Sequence, residues 1–274
     1  MLKLSVITIN FNNKEGLEKT VKSVVCQTFS NFEYIVIDGG SNDGSVEVLK
    51  QYQDKITYWA SESDNGIYHA QNKGIEKAKG EYCLFLNSGD YLAGDDVIDS
   101  VFKNNESFEL IACDLLFDYG RNKLIRKNQP DLLSFFYMMS TSLFHPSTFI
   151  KKSLFEKFGL YDEQLKIAAD YDFFLKTTLV NKVSYNHMSI AVSAFDTSGI
   201  SSNSNYLKKL EEERLSIQLK YFPDYIVKAA IDYNKLITSD SFKLFSLLKK
   251  NVVLNSIARL VFSILKKIKH LIKN

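Results

Sequence analysis

Proline is scarce in this chain, with three residues in 274, so long proline-rich linkers are excluded. The length suits one large α/β domain, or one domain with an appendage. Cysteine is equally scarce. Cys26, Cys83 and Cys113 make an odd count with no Cys-x-x-Cys pair, and each sits in an apolar run. Buried free thiols in a reducing compartment are therefore expected. No uninterrupted apolar run reaches the roughly 20 residues that span a bilayer. The N-terminal run in "MLKLSVITINFNN" is too short for a signal peptide, and no small-residue cleavage site follows it. A cytoplasmic location is expected. Internal repeats and low-complexity segments are missing too.

Two nucleotide signatures are also missing. A dinucleotide site needs a G-x-G-x-x-G turn after the first strand, and that position reads "NFNNKEG". No P-loop pattern occurs. Acidic residues are lacking in one region: from Ser241 onward there are eight Lys or Arg and no Asp or Glu. The first 240 residues therefore carry a net charge of −6, although the whole chain sums to +2. An acidic body with a basic tail is the reading.

What is present alternates between strands and helices. "LSVITINF" (4–11) is a continuous apolar run, as expected of a strand buried on both faces. A helix follows, with Leu17, Val21, Val24 and Val25 on one face and Asn12 or Asn13 as its cap. Further strands are predicted at 33–40, 56–62 and 81–87, with helices at 45–51 and 68–79 between them. This βαβ order predicts an α/β fold with a mainly parallel sheet. Beyond residue 90 the pattern changes. A hairpin is expected over 110–128 with its turn near Gly120 and Asn122, a helix over 131–138, and a strand at "STFIKK". A helix is expected over 167–180, a strand over 182–195, and helix from about 205 onward.

Parallel sheets bind ligands at the carboxyl ends of their strands. Asp38 ends the second strand, Glu62 and Asp64 follow the third, and "NSGD" (Asn87 to Asp90) follows the fourth. One shared cleft is implied. A carboxylate cannot hold a diphosphate directly, because like charges repel. It can hold a divalent cation that bridges to one. Asp90 suits that role, because Gly89 lets the backbone come close. A turn or helix-cap role is the plainer alternative for Asp90.

Four segments, "LSVITINFNN", "YIVIDGGSNDGS", "SESDNGIYHAQNKGIEKAKGEYCLFLNSGDYL" and "AADYDFFLK", resemble the family 2 glycosyltransferases of GT-A fold in order and spacing. The resemblance is to the inverting, bacterial surface-polysaccharide type and covers roughly residues 3 to 200. It implies a nucleoside-diphosphate sugar donor, UDP foremost, gripped through Mn²⁺ or Mg²⁺, and a saccharide or lipid-linked acceptor. It implies a transferase domain over 1–204, nucleotide-binding over 1–90 and acceptor-binding over 91–204, and a helical extension over 205–274. Ile9 and Phe11 match positions against the base, Asp38 a carboxylate that bonds the base, and Asp64 a residue near base or ribose. Lys73 matches a phosphate contact or a solvated lysine, Asn87 a ribose contact, and Asp90 the metal carboxylate. His145 resembles a position near the acceptor or leaving group. Asp43 is expected to cap the following helix.

The chain departs from the family pattern in three places. One acid remains in "NSGD" where relatives have several. Ala169-Asp170 stands for a Glu-Asp pair, and Gln71 for a frequent Arg. Inversion requires a base for the acceptor hydroxyl, and Asp170 takes that role at the start of a helix, with Asp172 second. Residues 195–202 offer a polar loop that could close over the donor. Residues 252–273 form an amphipathic pattern, with Val253, Ile257, Leu260, Val261, Ile264, Ile268 and Leu271 on one face. Its basic charge fits an interfacial helix on anionic lipid, hence a peripheral place on the inner face of the membrane. Packing on the protein's own body or on a partner is the alternative. Nucleic-acid binding lacks any recognition motif. Two other readings stay open, a binding scaffold without activity and a nucleotidyltransferase.

Overall fold

The computed structural model describes residues 2–103, 107–121, 123–197, 204–240, 242–243, 247 and 256. Nine strands are described: β1 (Leu4–Asn10), β2 (Phe32–Asp38), β3 (Tyr58–Ser61), β4 (Tyr82–Phe85), β5 (Tyr91–Leu92), β6 (Leu110–Asp118), β7 (Leu124–Lys127), β8 (Thr148–Lys151) and β9 (Tyr185–Asp196). They form one mixed sheet in the order β3-β2-β1-β4-β8-β6-β9-β5, with β7 paired to β6. The helices are α1 (Lys14–Val25), α2 (Ser45–Gln51), α3 (Ile67–Lys77), α4 (Val97–Phe102), α5 (Phe135–Ser140), α6 (Ser153–Phe158), α7 (Ala169–Leu175), α8 (Ser204–Tyr221) and α9 (Asp224–Thr238).

The first half is the expected α/β winding, with β1, β2, β3 and β4 all parallel. Every residue of β1 is buried, which is why that strand reads as an unbroken apolar run. Asn13 is the cap of α1, accepting from the Gly16 N–H at 3.1 Å. Asp43 serves two helices: it accepts from the Ser45 N–H of α2 at 3.0 Å and the Lys14 N–H of α1 at 2.8 Å. In the second half β8 runs antiparallel to β4 and β6, while β9 returns parallel to β6.

Several boundaries differ from expectation. The helix foreseen over 167–180 is α7 followed by a wider π-helical turn at Lys176–Val180. There the Thr177 and Thr178 hydroxyls bond back to the carbonyls of Phe173 and Phe174 at 2.8 and 2.6 Å, competing with the regular ladder. The helix foreseen over 131–138 starts only at Phe135, where Ser134 accepts from the Tyr137 N–H at 3.1 Å. Cys83 and Cys113 are buried, but Cys26, the C-cap residue that follows α1, is exposed.

By its contacts the chain divides into Met1–Tyr221 and Phe222–Asn274, so α8 belongs to the first unit. Among the described residues no helix is long and apolar enough to cross a membrane. The amphipathic face foreseen over 252–273 lies outside the described residues, as does most of the loop after Thr197.

Candidate active site

The strands end at a cleft of about 980 Å³. The turn after β4 forms part of its floor. Thr20 of α1 pins that turn from behind, donating from its hydroxyl to the Asp90 carbonyl at 2.6 Å and accepting from the Gly89 N–H at 3.0 Å. Asn13 adds a bond from its side-chain amide to the Ser88 carbonyl at 3.0 Å. Gly89 sits at φ +109°, and a Cβ there would lie 3.1 Å from a carboxylate oxygen of Asp196. Glycine is therefore required on both counts.

Asp196 is a cleft residue that the sequence reading placed only within the loop 195–202 and did not single out. It ends β9, lines the cleft beside Asp90, and donates its backbone N–H to Asp90 Oδ1 at 3.1 Å. The available signal was its place as a polar residue ending an apolar strand, the same signal that marked Asp38. Asp90 itself is 4% exposed. Burial pushes its carboxyl up to about 7, the Asp196 backbone bond opposes this, and the Asp196 charge adds to it.

Ile9, Phe11, Asp64 and Asn87 line the same cleft. Phe11 is 65% exposed, a bare aromatic face over the strand ends. Asp64 accepts from the Gly66 N–H at 2.8 Å, and Asn87 accepts from the Gln71 side-chain amide at 3.2 Å. Two expected residues are not at the surface of the cleft. Asp38 is fully buried behind it, and both its oxygens are taken. It accepts from the Asn10 amide (2.7 Å), the Ser41 hydroxyl (2.6 Å) and backbone N–H (2.9 Å), and the Ser61 hydroxyl (2.6 Å). Burial opposes ionisation there, but these bonds outweigh it and hold the carboxyl below its ordinary range. A carboxylate only accepts, so it forces the NH₂ of Asn10 inward. Asn10 lines the cleft, and its carbonyl oxygen is left without a partner. Lys73 turns away to pair with Glu62 at 2.8 Å.

Asp170, at the start of α7, and His145 complete the site from the second half of the sheet. The Tyr68 hydroxyl of α3 donates to Asp170 Oδ1 at 3.1 Å. Burial, reinforced by the Asp170 charge, holds the Tyr68 phenol well above its ordinary value, so it stays a donor. His145 stacks on Phe85 with centroids 4.6 Å apart, and its Nε2 meets the Tyr161 hydroxyl at 2.8 Å. Burial lowers its pKa to about 4 against the opposing pull of Asp170, so the ring is neutral near pH 7. Asp172 faces elsewhere and pairs with Lys220 of α8 at 3.1 Å.

The profile of Glycosyl transferase family 2 matches residues 5–156, more than half of the chain. The chain belongs to this family. An uncharacterized glycosyltransferase of Mycobacterium tuberculosis is 35% identical over 206 residues, covering 73% of this chain and 77% of the relative. A PGL/p-HBAD biosynthesis glycosyltransferase of Mycobacterium bovis is 25% identical over 226 residues, covering 78% and 87%. Among solved structures, S. aureus TarS 1-349 in complex with UDP-GlcNAc matches with TM-score 0.64 and 21% identity over 80% of this chain and 66% of that one. This chain spans 44% of the longer TarS chain. Mannosyltransferase PcManGT from Pyrobaculum calidifontis, in complex with GDP-Man and Mn²⁺, matches with TM-score 0.56 and 12% identity over 94% and 87%. The fold of this family 2 glycosyltransferase is thus GT-A-like, and the protein is an enzyme.

The charge of the cleft is one-sided. Asp64, Asp90, Asp170 and Asp196 line it, and no Lys or Arg does among the described residues. No group of three His, Cys, Asp or Glu is placed to hold a metal among those residues either. Asp90 and Asp196, joined through the Asp196 backbone N–H, each bring a carboxylate to the lining of this cleft. That set fits Mg²⁺ or Mn²⁺, which take one or two carboxylates and complete their shell with water and substrate phosphates.

Proposed function

We propose that this glycosyltransferase moves a sugar from a nucleoside-diphosphate sugar, UDP foremost, to an acceptor hydroxyl with inversion, aided by a divalent cation. The observation that carries the reading is the one-sided charge of the cleft. A diphosphate entering among four aspartates, with no lysine or arginine lining the cleft among the described residues, calls for a cation as its counter-charge. Asp90 and Asp196 would hold that cation, which would neutralise the charge growing on the leaving diphosphate. Phe11 offers its exposed face to the base, and Ile9, Asp64 and Asn87 line the same cleft. The solved relatives bound to UDP-GlcNAc and GDP-Man support a nucleotide-sugar donor.

Asp170 is assigned as general base. The acceptor oxygen forms a bond to the anomeric carbon while the bond from that carbon to the diphosphate oxygen breaks, and the pair leaves with the diphosphate. The acceptor proton passes to Asp170. Tyr68 occupies Oδ1, which leaves Oδ2 to receive it. His145, neutral and packed on Phe85, shapes the wall beside the reacting centre. Asp38 acts through Asn10, whose amide it orients, and Lys73 carries no assigned part. Residues 1–204 and the rest of α8 form the transferase body in this reading. The basic tail from Ser241 places the enzyme on the inner face of an anionic membrane, where a lipid-linked glycan is a suitable acceptor.

The test is a thermal-shift panel with UDP, GDP and dTDP, with and without Mn²⁺, on wild type and Asp90→Asn. A ligand at 100 times its dissociation constant stabilises by about 2.7 kcal/mol. The expected result is a Mn²⁺-dependent shift with UDP that Asp90→Asn loses. A shift of equal size without the cation, or no shift with any nucleotide, contradicts the reading.

A further inference from the structure

The sheet order sets β6 and β9 on the far side of β4 and β8 from β1, β2 and β3. The part of the cleft lined from that side carries Leu115 and Phe117 of β6, Phe144 and Pro146 before β8, Ile167 before α7, and Phe195 of β9. Phe117 sits at the centre of an aromatic trio, edge-on to Phe144 at 6.1 Å and to Phe195 at 5.6 Å between centroids. All three rings are only partly buried. Apolar surface left wet inside a concave site marks a place that a ligand covers.

Polar groups in this part are few. Among the described lining residues they are His145, Asp170 and Asp196, together with Tyr68 and Asp90, which are hydrogen-bonded to the two aspartates. His145 Nε2 is committed to Tyr161, and Asp170 Oδ1 to Tyr68. One hydroxyl, the reacting one, is therefore served. A free sugar would bury several further hydroxyls against phenyl rings without partners, which is costly. Charge restricts the ligand further. A phosphate or carboxylate here would face Asp170 and Asp196 with no lysine or arginine in the cleft lining among the described residues.

We propose that this part of the cleft is an acceptor subsite for an uncharged molecule that carries an aromatic ring, or an apolar group of that size, next to the hydroxyl that reacts. The proposal rests on the transferase reading of the cleft and deepens it. It is continuous with the rest of the cleft, so an apolar group lying on Phe117 sets the neighbouring hydroxyl between Asp170 and the donor.

The experiment is calorimetric titration of the full chain, first with UDP and Mn²⁺, then with paired acceptor probes on the loaded protein. The probes are p-nitrophenyl and methyl glycosides of glucose, galactose, mannose and N-acetylglucosamine, with the hexose 1-phosphates as anionic counterparts. At least one p-nitrophenyl glycoside is expected to bind at least tenfold more tightly than its methyl partner, with no measurable binding of the 1-phosphates. Phe117→Ala removes the aryl advantage while UDP binding is unchanged. Phe195→Leu, a milder change, reduces it in part and covers the case where Phe117→Ala fails to fold. Equal affinity for aryl and methyl probes, tighter binding of 1-phosphates, or no glycoside binding to the UDP-loaded protein overturns the proposal. Failure of UDP with Mn²⁺ to bind counts against the donor reading instead. The aryl-against-methyl comparison, repeated without nucleotide, still decides the subsite.

Discussion

Two residues carry predictions that their surroundings define. Asp90 is held up to about 7 by burial, well above the ordinary carboxylate value. Folding thus favours its protonated form. The resulting stability is full below the unfolded pKa and is lost as pH rises through about 7, up to a ceiling of about 4 kcal/mol at 1.36 kcal/mol per unit. In buffer without divalent cations, Asp90→Asn should therefore gain stability relative to wild type between pH 5 and pH 8. Denaturant melts at both pH values measure this, and an unchanged gap between the two proteins contradicts it. Adding Mn²⁺ and UDP should reverse the order, because the cation favours the ionised carboxylate. Tyr68 acts on Asp170 through one hydrogen bond at 3.1 Å. Tyr68→Phe keeps the ring and its packing on Tyr161 but removes the donor. A bond to a charged group contributes about 1.5–3 kcal/mol. With Asp170 less firmly held, kcat/KM should fall about tenfold or more while UDP binding stays at the wild-type value. An unchanged kcat/KM would assign Tyr68 to packing alone.

Among the elements, α8 does more than extend the chain. The Glu213 carboxylate accepts from the backbone N–H groups of Lys166, Ile167 and Ala168 at 2.9, 3.0 and 3.1 Å. That segment leads directly into α7 and Asp170. Two residues on the same helix bind α7 itself: Gln218 donates to the Tyr171 hydroxyl at 2.9 Å, and Lys220 pairs with Asp172. Glu213→Gln leaves one acceptor oxygen for three donors. Leaving buried N–H groups unpaired costs about 1–3 kcal/mol. The variant should be destabilised by that amount in urea, and its kcat should fall while UDP binding stays at the wild-type value. Lys208→Ala, on the exposed face of α8, is the control. Equal behaviour of the two variants would remove α8 from the positioning of Asp170. None of this was visible in the sequence, because α8 is amphipathic only weakly and its bonds span more than 40 positions. The first half of the sheet was visible because each of its central strands is buried on both faces and reads as an apolar run. Asp38 shows where such reading stops. Its place at a strand end was recoverable, but the direction of its side chain, toward Ser41 and Ser61 and away from the cleft, depends on partners 3 and 23 residues away.

At the scale of the whole molecule, the second half of the sheet explains why Asp196 was not singled out. β9 pairs parallel to β6 and delivers Asp196 to Asp90, 106 positions earlier in the chain. No local pattern encodes that meeting. Charge, by contrast, is readable from composition alone: a net −6 over the first 240 residues and eight uncompensated basic residues after them. An acidic body is repelled by an anionic membrane, so the proposed association depends on the tail. In co-sedimentation with vesicles, the full chain should pellet with phosphatidylglycerol-rich vesicles and stay in solution with pure phosphatidylcholine. Salt separates the two contributions of the tail. The Debye length falls from about 10 Å at 0.1 M to about 3 Å at 1 M, so screening removes the attraction of the basic residues and leaves the contribution of the apolar ones. Binding should weaken steeply with salt without vanishing, since two signals together anchor better than one. Deleting residues 241–274 should abolish it at every salt concentration and leave the UDP shift intact. Pelleting that survives the deletion would move the membrane contact to the body, and loss of the UDP shift with the tail would make the tail part of the fold.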